Sequence, residues 1–366
     1  MKLLLTTDTV GGVWTHTVEL SRGLARRGVG VTLAAMGTPL TQDQRAELRT
    51  LPLEHLYADE LALEWMPDPW EDVERAARRL LEIADRTDPD AVHVNQYAFG
   101  ALEWERPCVV GAHSDVLTWF AAVRGRPAPP EWNRYRDVVA EGIASADVVV
   151  APTAAYLREL VRAYEPTSET AVIHNGRALR GAKASNEPLI LTAGRLWDEA
   201  KNAGALWRTA GELPWPVAFA GQGIELGLPD APPNVRLLGR LSRSELDSWL
   251  RRAAVFASPA RYEPFGLAAL EAAQCGCALV VGDLPSQREI WRDAALYVDP
   301  DDEHALAETL RLLIGDDALR GEYARRARNR ARAFHPQRMA DEYLELYERL
   351  LARDADDELT REALAS

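Results

Sequence analysis

Short, continuous apolar runs rich in β-branched residues alternate along this chain with longer amphipathic stretches. In the first half the runs are 2–7, 29–36, 91–95, 108–112, 147–152 and 170–174. In the second half they are 189–193, 217–220, 235–238, 254–258, 278–282 and 296–299. Continuous runs, unlike alternating ones, mark strands buried on both faces. Strand followed by helix, repeated, implies parallel sheets with right-handed crossovers. The rhythm breaks at 175–188, where glycines, a proline and few apolar residues read as a linker. The expectation is an α/β protein with two doubly wound domains, 1–180 and 186–335, facing across a cleft, and a C-terminal segment 336–366. In that segment Tyr343, Leu344, Leu346, Tyr347, Leu350 and Leu351 share one face of an amphipathic helix. The acidic tail after Arg353 is expected to fray. The basic run 325–332 reads as a solvated helix face.

Composition narrows the function classes. With 366 residues and 47% apolar content, two ordinary domains can each bury a core. A net charge of −14 excludes broad nucleic-acid binding, which needs a basic field. A small anionic ligand remains compatible, because a few local donors outweigh distant charge at physiological salt. Cys108, Cys275 and Cys277 lack the spacing of a zinc site and read as core residues. The opening Met1-Lys-Leu-Leu-Leu is too short for a signal peptide, and no run spans a membrane, so a cytoplasmic protein is expected. Arg22, Arg26 and Arg27 leave room for a weak peripheral membrane contact.

The candidate chemistry sits at strand ends. In Arg261-Tyr-Glu-Pro-Phe-Gly-Leu-Ala-Ala-Leu-Glu271, Glu263 and Glu271 stand eight residues apart around a Pro-Phe-Gly turn between a strand and a helix. Ligands of parallel sheets bind at that edge, and free amides at a helix start favour anions. Both glutamates can accept hydroxyl hydrogens. In Leu191-Thr-Ala-Gly-Arg-Leu-Trp-Asp-Glu-Ala-Lys-Asn202, Gly194 permits a close turn. There Arg195 and Lys201 suit a diphosphate, the one as a planar fork and the other as a point charge. Gly11-Gly12 follow the first strand and would let a ligand approach the backbone, but the stretch is not G-x-G-x-x-G, so a nicotinamide cofactor is disfavoured. His113 closes a further strand, where it would orient a substrate or shuttle a proton. No H-E-x-x-H, P-loop or G-x-S-x-G pattern occurs, and the strand tips are expected to lack any D-x-D triplet, so no protein-held metal is expected.

Taken in order, these motifs resemble the family 4 glycosyltransferases, retaining enzymes of the GT-B fold that use a nucleotide-diphosphate sugar. The likeness rests on the E-x7-E of Glu263 and Glu271, on Gly194-Arg195 with Lys201-Asn202, and on Gly11-Gly12. Val172-Ile-His-Asn-Gly176 and Val235-Arg-Leu-Leu-Gly-Arg-Leu241 also match, although His174 stands where the family often has proline. The resemblance implies two Rossmann-like domains and no cofactor beyond the nucleotide-sugar co-substrate. It implies that Arg195 and Lys201 bind the diphosphate, and that the amides of Phe265, Gly266 and Leu267 cap its charge. Glu263 would hold sugar hydroxyls, Glu271 the ribose, and Arg240 with Leu241 the base. Gly12 and His113 would line the donor–acceptor side, and the helix around 341–351 would pack back on the N-terminal domain. The acceptor is expected to be a carbohydrate, a lipid-linked molecule or a small molecule, contacted through 117–132 and the Trp-rich 64–70. A sugar phosphorylase of the same fold and a non-catalytic nucleotide-sugar-binding protein are the alternatives.

Overall fold

A computed structural model describes residues 1–178, 187–223 and 230–365, with side chains described as far as Asp356. Part of the expected linker, 179–186, lies outside the described residues. The chain divides into two compact units. The first comprises Met1–Thr118, Pro127–Gly176 and Pro336–Ser366, and the second Trp119–Arg126 and Arg177–His335.

The chain runs β1 (Lys2–Asp8), α1 (Gly12–Ala25), β2 (Gly30–Met36), α2 (Gln42–Leu48), β3 (His55–Asp59), α3 (Trp70–Thr87), β4 (Ala91–Val94) and β5 (Cys108–Gly111). It continues through α4 (Val116–Arg124), α5 (Asn133–Ser145), β6 (Val148–Ala151), α6 (Ala154–Tyr164) and β7 (Glu169–Val172). These seven strands form one parallel sheet in the order β3-β2-β1-β4-β5-β6-β7. Strand β3 is absent from the sequence-based expectation. It is an edge strand whose residues are exposed or half-buried, so it lacks the apolar run that betrays the others.

The second unit runs β8 (Glu187–Ala193), α7 (Ala203–Ala210), β9 (Val217–Ala220), β10 (Val235–Gly239), α8 (Arg243–Arg252) and β11 (Ala253–Ser258). Then come α9 (Leu267–Cys275), β12 (Ala278–Gly282), α10 (Pro285–Trp291), β13 (Leu296–Val298), α11 (Glu303–Gly315) and α12 (Asp317–Ala331). Its six strands are also parallel, ordered β10-β9-β8-β11-β12-β13. The central strands are apolar on both faces because helices cover both. One core cluster centres on Leu191, Phe256, Leu279 and Trp291, the other on Ile190, Phe219, Val255 and Val280. All three cysteines are buried thiols outside any disulfide, and burial pushes the Cys275 thiol up to about 11.

The last helix, α13 (Pro336–Ala365), belongs to the first unit. Its Met339, Ala340, Tyr343, Leu346, Tyr347 and Leu350 join the core of β1 and β2 beside Trp14, Val18 and Leu24 of α1. The backbone is helical to Ala365. Contact with α1 is close: a Cβ on Gly23 would lie 2.5 Å from the Ala340 Cβ. Arg27 fastens the two helices, donating to Gly23 O at 2.8 Å and Gln337 O at 2.9 Å while pairing with Asp341. Arg22 pairs with Glu19 at 3.5 Å. Around Arg27, this face of α1 therefore holds a helix. No helix among the described residues is long and apolar enough to cross a membrane.

Candidate functional site

In each sheet the chain winds outward on one side, then restarts on the other side of its first strand. That reversal leaves a crevice at the carboxyl ends of two adjacent strands, where ligands of open α/β sheets bind. In the second unit the two strands are β8 and β11. Their following loops carry Arg195 with Lys201, and Glu263 with Gly266.

The local structure brings these residues together. After β8, Gly194 donates its N–H to Ala220 O at 3.0 Å. Asp198 then organises the loop: its carboxylate accepts from Ala200 N at 3.0 Å, Trp119 Nε1 at 3.1 Å and Arg195 Nη2 at 3.1 Å. Lys201 ends a short 3₁₀ turn, Glu199–Lys201. Asn202 follows in the left-handed region at φ 50°, where a short polar side chain is tolerated. Its Nδ2 donates to Pro259 O at 2.9 Å and Pro300 O at 2.7 Å, and its Oδ1 accepts from Arg261. Arg261 N also donates to Ala200 O at 2.8 Å, joining the loops after β8 and β11.

Across that junction Lys201 Nζ meets Glu263 Oε2 at 2.6 Å, with side chains 21% and 18% exposed. Gly266 is the N-cap of α9 at φ 95°, a conformation strained for any residue with a Cβ. The site a Cβ would occupy there lies 3.5 Å from Glu263 Cγ. No acidic side chain stands in the first turn of α9, so its opening amides remain available to an anion. Ser286 and Gln287, which sequence reasoning missed, hold the turn: Ser286 Oγ donates to Glu263 O at 2.6 Å and Gln287 Nε2 to Phe265 O at 3.1 Å. The Phe265 ring is buried edge-on against Phe334, so only its backbone can serve a ligand.

The other expected residues of this unit divide. Glu271 lies in the second turn of α9 and is bonded to Arg177 and Arg243. Arg240 and Leu241 follow the edge strand β10, with β9 between them and β8. Leu241 packs on the core, and no bond among the described residues ties either to the Lys201–Glu263 pair. Sequence reasoning also missed Gly221, whose added Cβ would lie 2.1 Å from Gly194 O. A glycine cluster directly after β9 was the available signal.

One expectation needs correction. Asp299-Pro-Asp301 is a D-x-D triplet directly after β13. Its carboxylates are otherwise engaged: Asp299 Oδ1 accepts from Asp301 N at 2.9 Å, and Asp301 Oδ1 accepts from Arg261 at 2.9 and 2.7 Å. No group of three or more His, Cys, Asp or Glu that could hold a metal occurs among the described residues.

In the first unit the reversal falls between β1 and β4. Gly11 follows β1 at φ 79° and caps α1, which starts at Gly12. Beside this turn lies a buried imidazole cluster that sequence reasoning missed apart from His113. His113 Nε2 lies 2.7 Å from Asn95 Oδ1, while Asn95 Nδ2 donates to Thr6 O at 2.5 Å. Asn95 Oδ1 must therefore accept, so His113 Nε2 carries the proton and Nδ1 is an acceptor. Gly111 makes the gathering possible, since a Cβ there would lie 2.5 Å from Asn95 Oδ1 and 2.9 Å from His93 Nε2. His16 and His113 stack edge-on at 4.7 Å. Burial, with lesser repulsion from His16 and His93, holds His113 well below the ordinary imidazole range. The neutral ring presents Nδ1 as an acceptor to a hydroxyl.

The two aromatic stretches behave differently. Leu117 with Pro127, Ala128, Pro129, Trp132, Asn133 and Arg136 lines a cavity of about 190 Å³ in the first unit. Glu64 is instead internal: its carboxylate accepts from Tyr97 N at 3.0 Å and Ala98 N at 2.9 Å, and burial raises it to about 7.

Comparison with known proteins follows this division of the chain. Residues 10–179 match the model described as Glycosyltransferase Family 4, and residues 181–333 that described as Glycosyl transferases group 1. A D-inositol 3-phosphate glycosyltransferase from Xylanimonas cellulosilytica is 28% identical over 395 residues, covering 93% of this chain and 92% of its own. A glycogen synthase from Mycobacterium tuberculosis is 27% identical, covering 88% and 86%. Among solved structures, sucrose-phosphate synthase from Thermosynechococcus elongatus superposes with a TM-score of 0.78 at 19% identity, over 96% of this chain and all (100%) of that one. Anabaena Alr3699/HepE in complex with UDP-glucose gives 0.73 at 17% identity, with the same coverage.

Proposed function

The chain is a family 4-like glycosyltransferase of the GT-B fold, and from that premise we propose that it moves a sugar from a nucleotide-diphosphate sugar to a hydroxyl acceptor with retention of anomeric configuration. The observation that carries this reading is the meeting of Lys201, Glu263 and the glycine-started helix α9 at the reversal of the second sheet.

The chemistry follows from charge. Breaking the anomeric C–O bond leaves negative charge on phosphate and positive charge on the sugar. Lys201, Arg195 and the amides around Phe265, Gly266 and Leu267 stabilise the phosphate side. Each cation already carries a carboxylate partner, Glu263 or Asp198, which keeps it in place. A diphosphate competes for Lys201, and Glu263 turns to the sugar hydroxyls. The acceptor hydroxyl attacks the face the phosphate leaves and gives its proton to a departing phosphate oxygen, so no separate general base is required. Glu271 takes the ribose, and Arg240 with Leu241 the base. Gly12 offers backbone, and the His113 Nδ1 accepts from a hydroxyl. The cavity bounded by Leu117 and Trp132 lies on the acceptor side, for a carbohydrate, lipid-linked or small-molecule acceptor. No divalent metal is required, since fixed cations do that work, and the reaction belongs in the cytoplasm.

Lys201→Ala and Arg195→Ala test the assignment. Removing one preorganised donor should lower turnover by about 100-fold with the fold intact. A screen of UDP-, GDP- and ADP-sugars, read as donor hydrolysis, identifies the co-substrate. Near-wild-type turnover in both variants would remove the diphosphate role. Turnover abolished by chelator and restored by added metal would remove the metal-free mechanism.

A further inference from the structure

Glu271 has an unusual set of partners. Its side chain is 8% exposed, and two guanidiniums reach the same oxygen. Arg177 Nε donates to Oε1 at 2.8 Å from a side chain 2% exposed. Arg243 Nη1 donates to Oε1 as well, while its Nη2 pairs with Asp247 at 2.7 Å. Among the described residues no donor reaches Oε2. The backbone of Arg177 is itself anchored, with its N–H donating to Phe334 O at 3.0 Å and its C=O accepting from Gln274 Nε2 at 2.7 Å. The clamp therefore springs from a fixed point.

Among the described side chains of the cluster, two arginines and two carboxylates sum to zero formal charge, so they offer an anion little. The cluster offers a strong, oriented acceptor whose second oxygen lacks a donor. Neutral hydroxyl donors fit that vacancy better than phosphate does.

Resting on the reading of Glu271 as the ribose residue, we propose that Arg177 and Arg243 are positioning residues. They hold the Glu271 carboxylate so that Oε2 faces the ribose diol, and they thereby set the preference for ribonucleotides over 2′-deoxynucleotides. Without the clamp the carboxylate can rotate, and the bond to the hydroxyl loses its geometry.

The test is calorimetry with UDP, GDP and ADP, followed by the 2′-deoxy counterpart of the tightest. A hydrogen bond to a charged group corresponds to a preference of roughly 10- to 100-fold for the ribonucleotide in the wild-type chain. Arg177→Met and Arg243→Met should each bring that ratio to within about 3-fold of unity while 2′-deoxy affinity moves less than about 2-fold. Donor KM should rise with kcat retained, and Arg177→Lys should recover part of the ratio. A merely structural role would weaken both nucleotides alike. The half-buried Arg243 decides the matter if Arg177→Met does not fold. Folded variants that keep the wild-type ratio overturn the clamp and leave the ribose reading standing. A wild-type chain that binds a nucleoside diphosphate without distinguishing its 2′-deoxy form, or binds none, overturns the ribose reading and the clamp with it.

Discussion

Mild acid should loosen the first unit, by an amount that follows from its buried imidazoles. Burial lowers His16 to about 4 and His93 to about 3, against 6.5 for an ordinary imidazole. The unfolded chain therefore binds more protons once pH drops below 6.5, and stability falls from there down to the folded values. Between pH 7 and pH 5 each ring costs about 2 kcal/mol, at 1.36 kcal/mol per unit over the last ~1.5 units. Glu64 acts in the opposite sense. Its folded value is raised to about 7 from 4.5, so its contribution is complete below 4.5 and is lost as pH rises to about 7. Over the same interval acidification returns about 2 kcal/mol. The net loss is about 2 kcal/mol, and His113 deepens it. A two-unit chain need not unfold in one step, so the readout must be local. Hydrogen exchange at β1 and β4 amides, corrected for intrinsic rates, should show protection falling about 30-fold from pH 7 to pH 5. His93→Phe removes one ring and should reduce that fall by about 30-fold. Equal falls in both proteins, or His16 and His93 resonances titrating near 6.5, would refute the reasoning.

Three further outcomes follow from the packing and hydrogen bonding. Gly23→Leu should push α13 off α1, cost about 1–3 kcal/mol and speed proteolysis of that helix; unchanged cleavage would show the contact to be slack. Asn202→Ala leaves Pro259 O and Pro300 O without their donor and should cost about 1–3 kcal/mol in urea unfolding while raising donor KM; an unchanged KM would separate this loop from the site. Glu64→Ala strands the Tyr97 and Ala98 amides and should cost at least about 2 kcal/mol, with the pH dependence between 4.5 and 7 reduced; retention of that dependence would mean another group titrates there.

Much of the architecture is legible from the strands, because burial on both faces writes a continuous apolar run for the central ones. β3 escapes because an edge strand needs only one neighbour and keeps polar residues such as His55 and Asp59. At the candidate site, the short-range signals place Gly194, Gly266, Arg195, Lys201 and Glu263 on two loops whose strands the topology makes neighbours. What hides is pairing across long separations. Nothing near Glu271 in sequence announces Arg177, 94 residues away. Likewise Gly111 looks like an ordinary strand end until Asn95, His93 and His113 crowd the space its missing side chain leaves.

Because α13 completes the core that β1 and α1 begin, the first unit cannot close until 336–350 leave the ribosome. The second unit, by contrast, has its whole sheet synthesised in one uninterrupted span. Synthesis from the N-terminus thus reverses the expected order of maturation: the second unit can finish first, while β1 and β2 wait, apolar and uncovered, for a helix still to be translated. Nascent chains stalled before Pro336 should be the ones that chaperones hold.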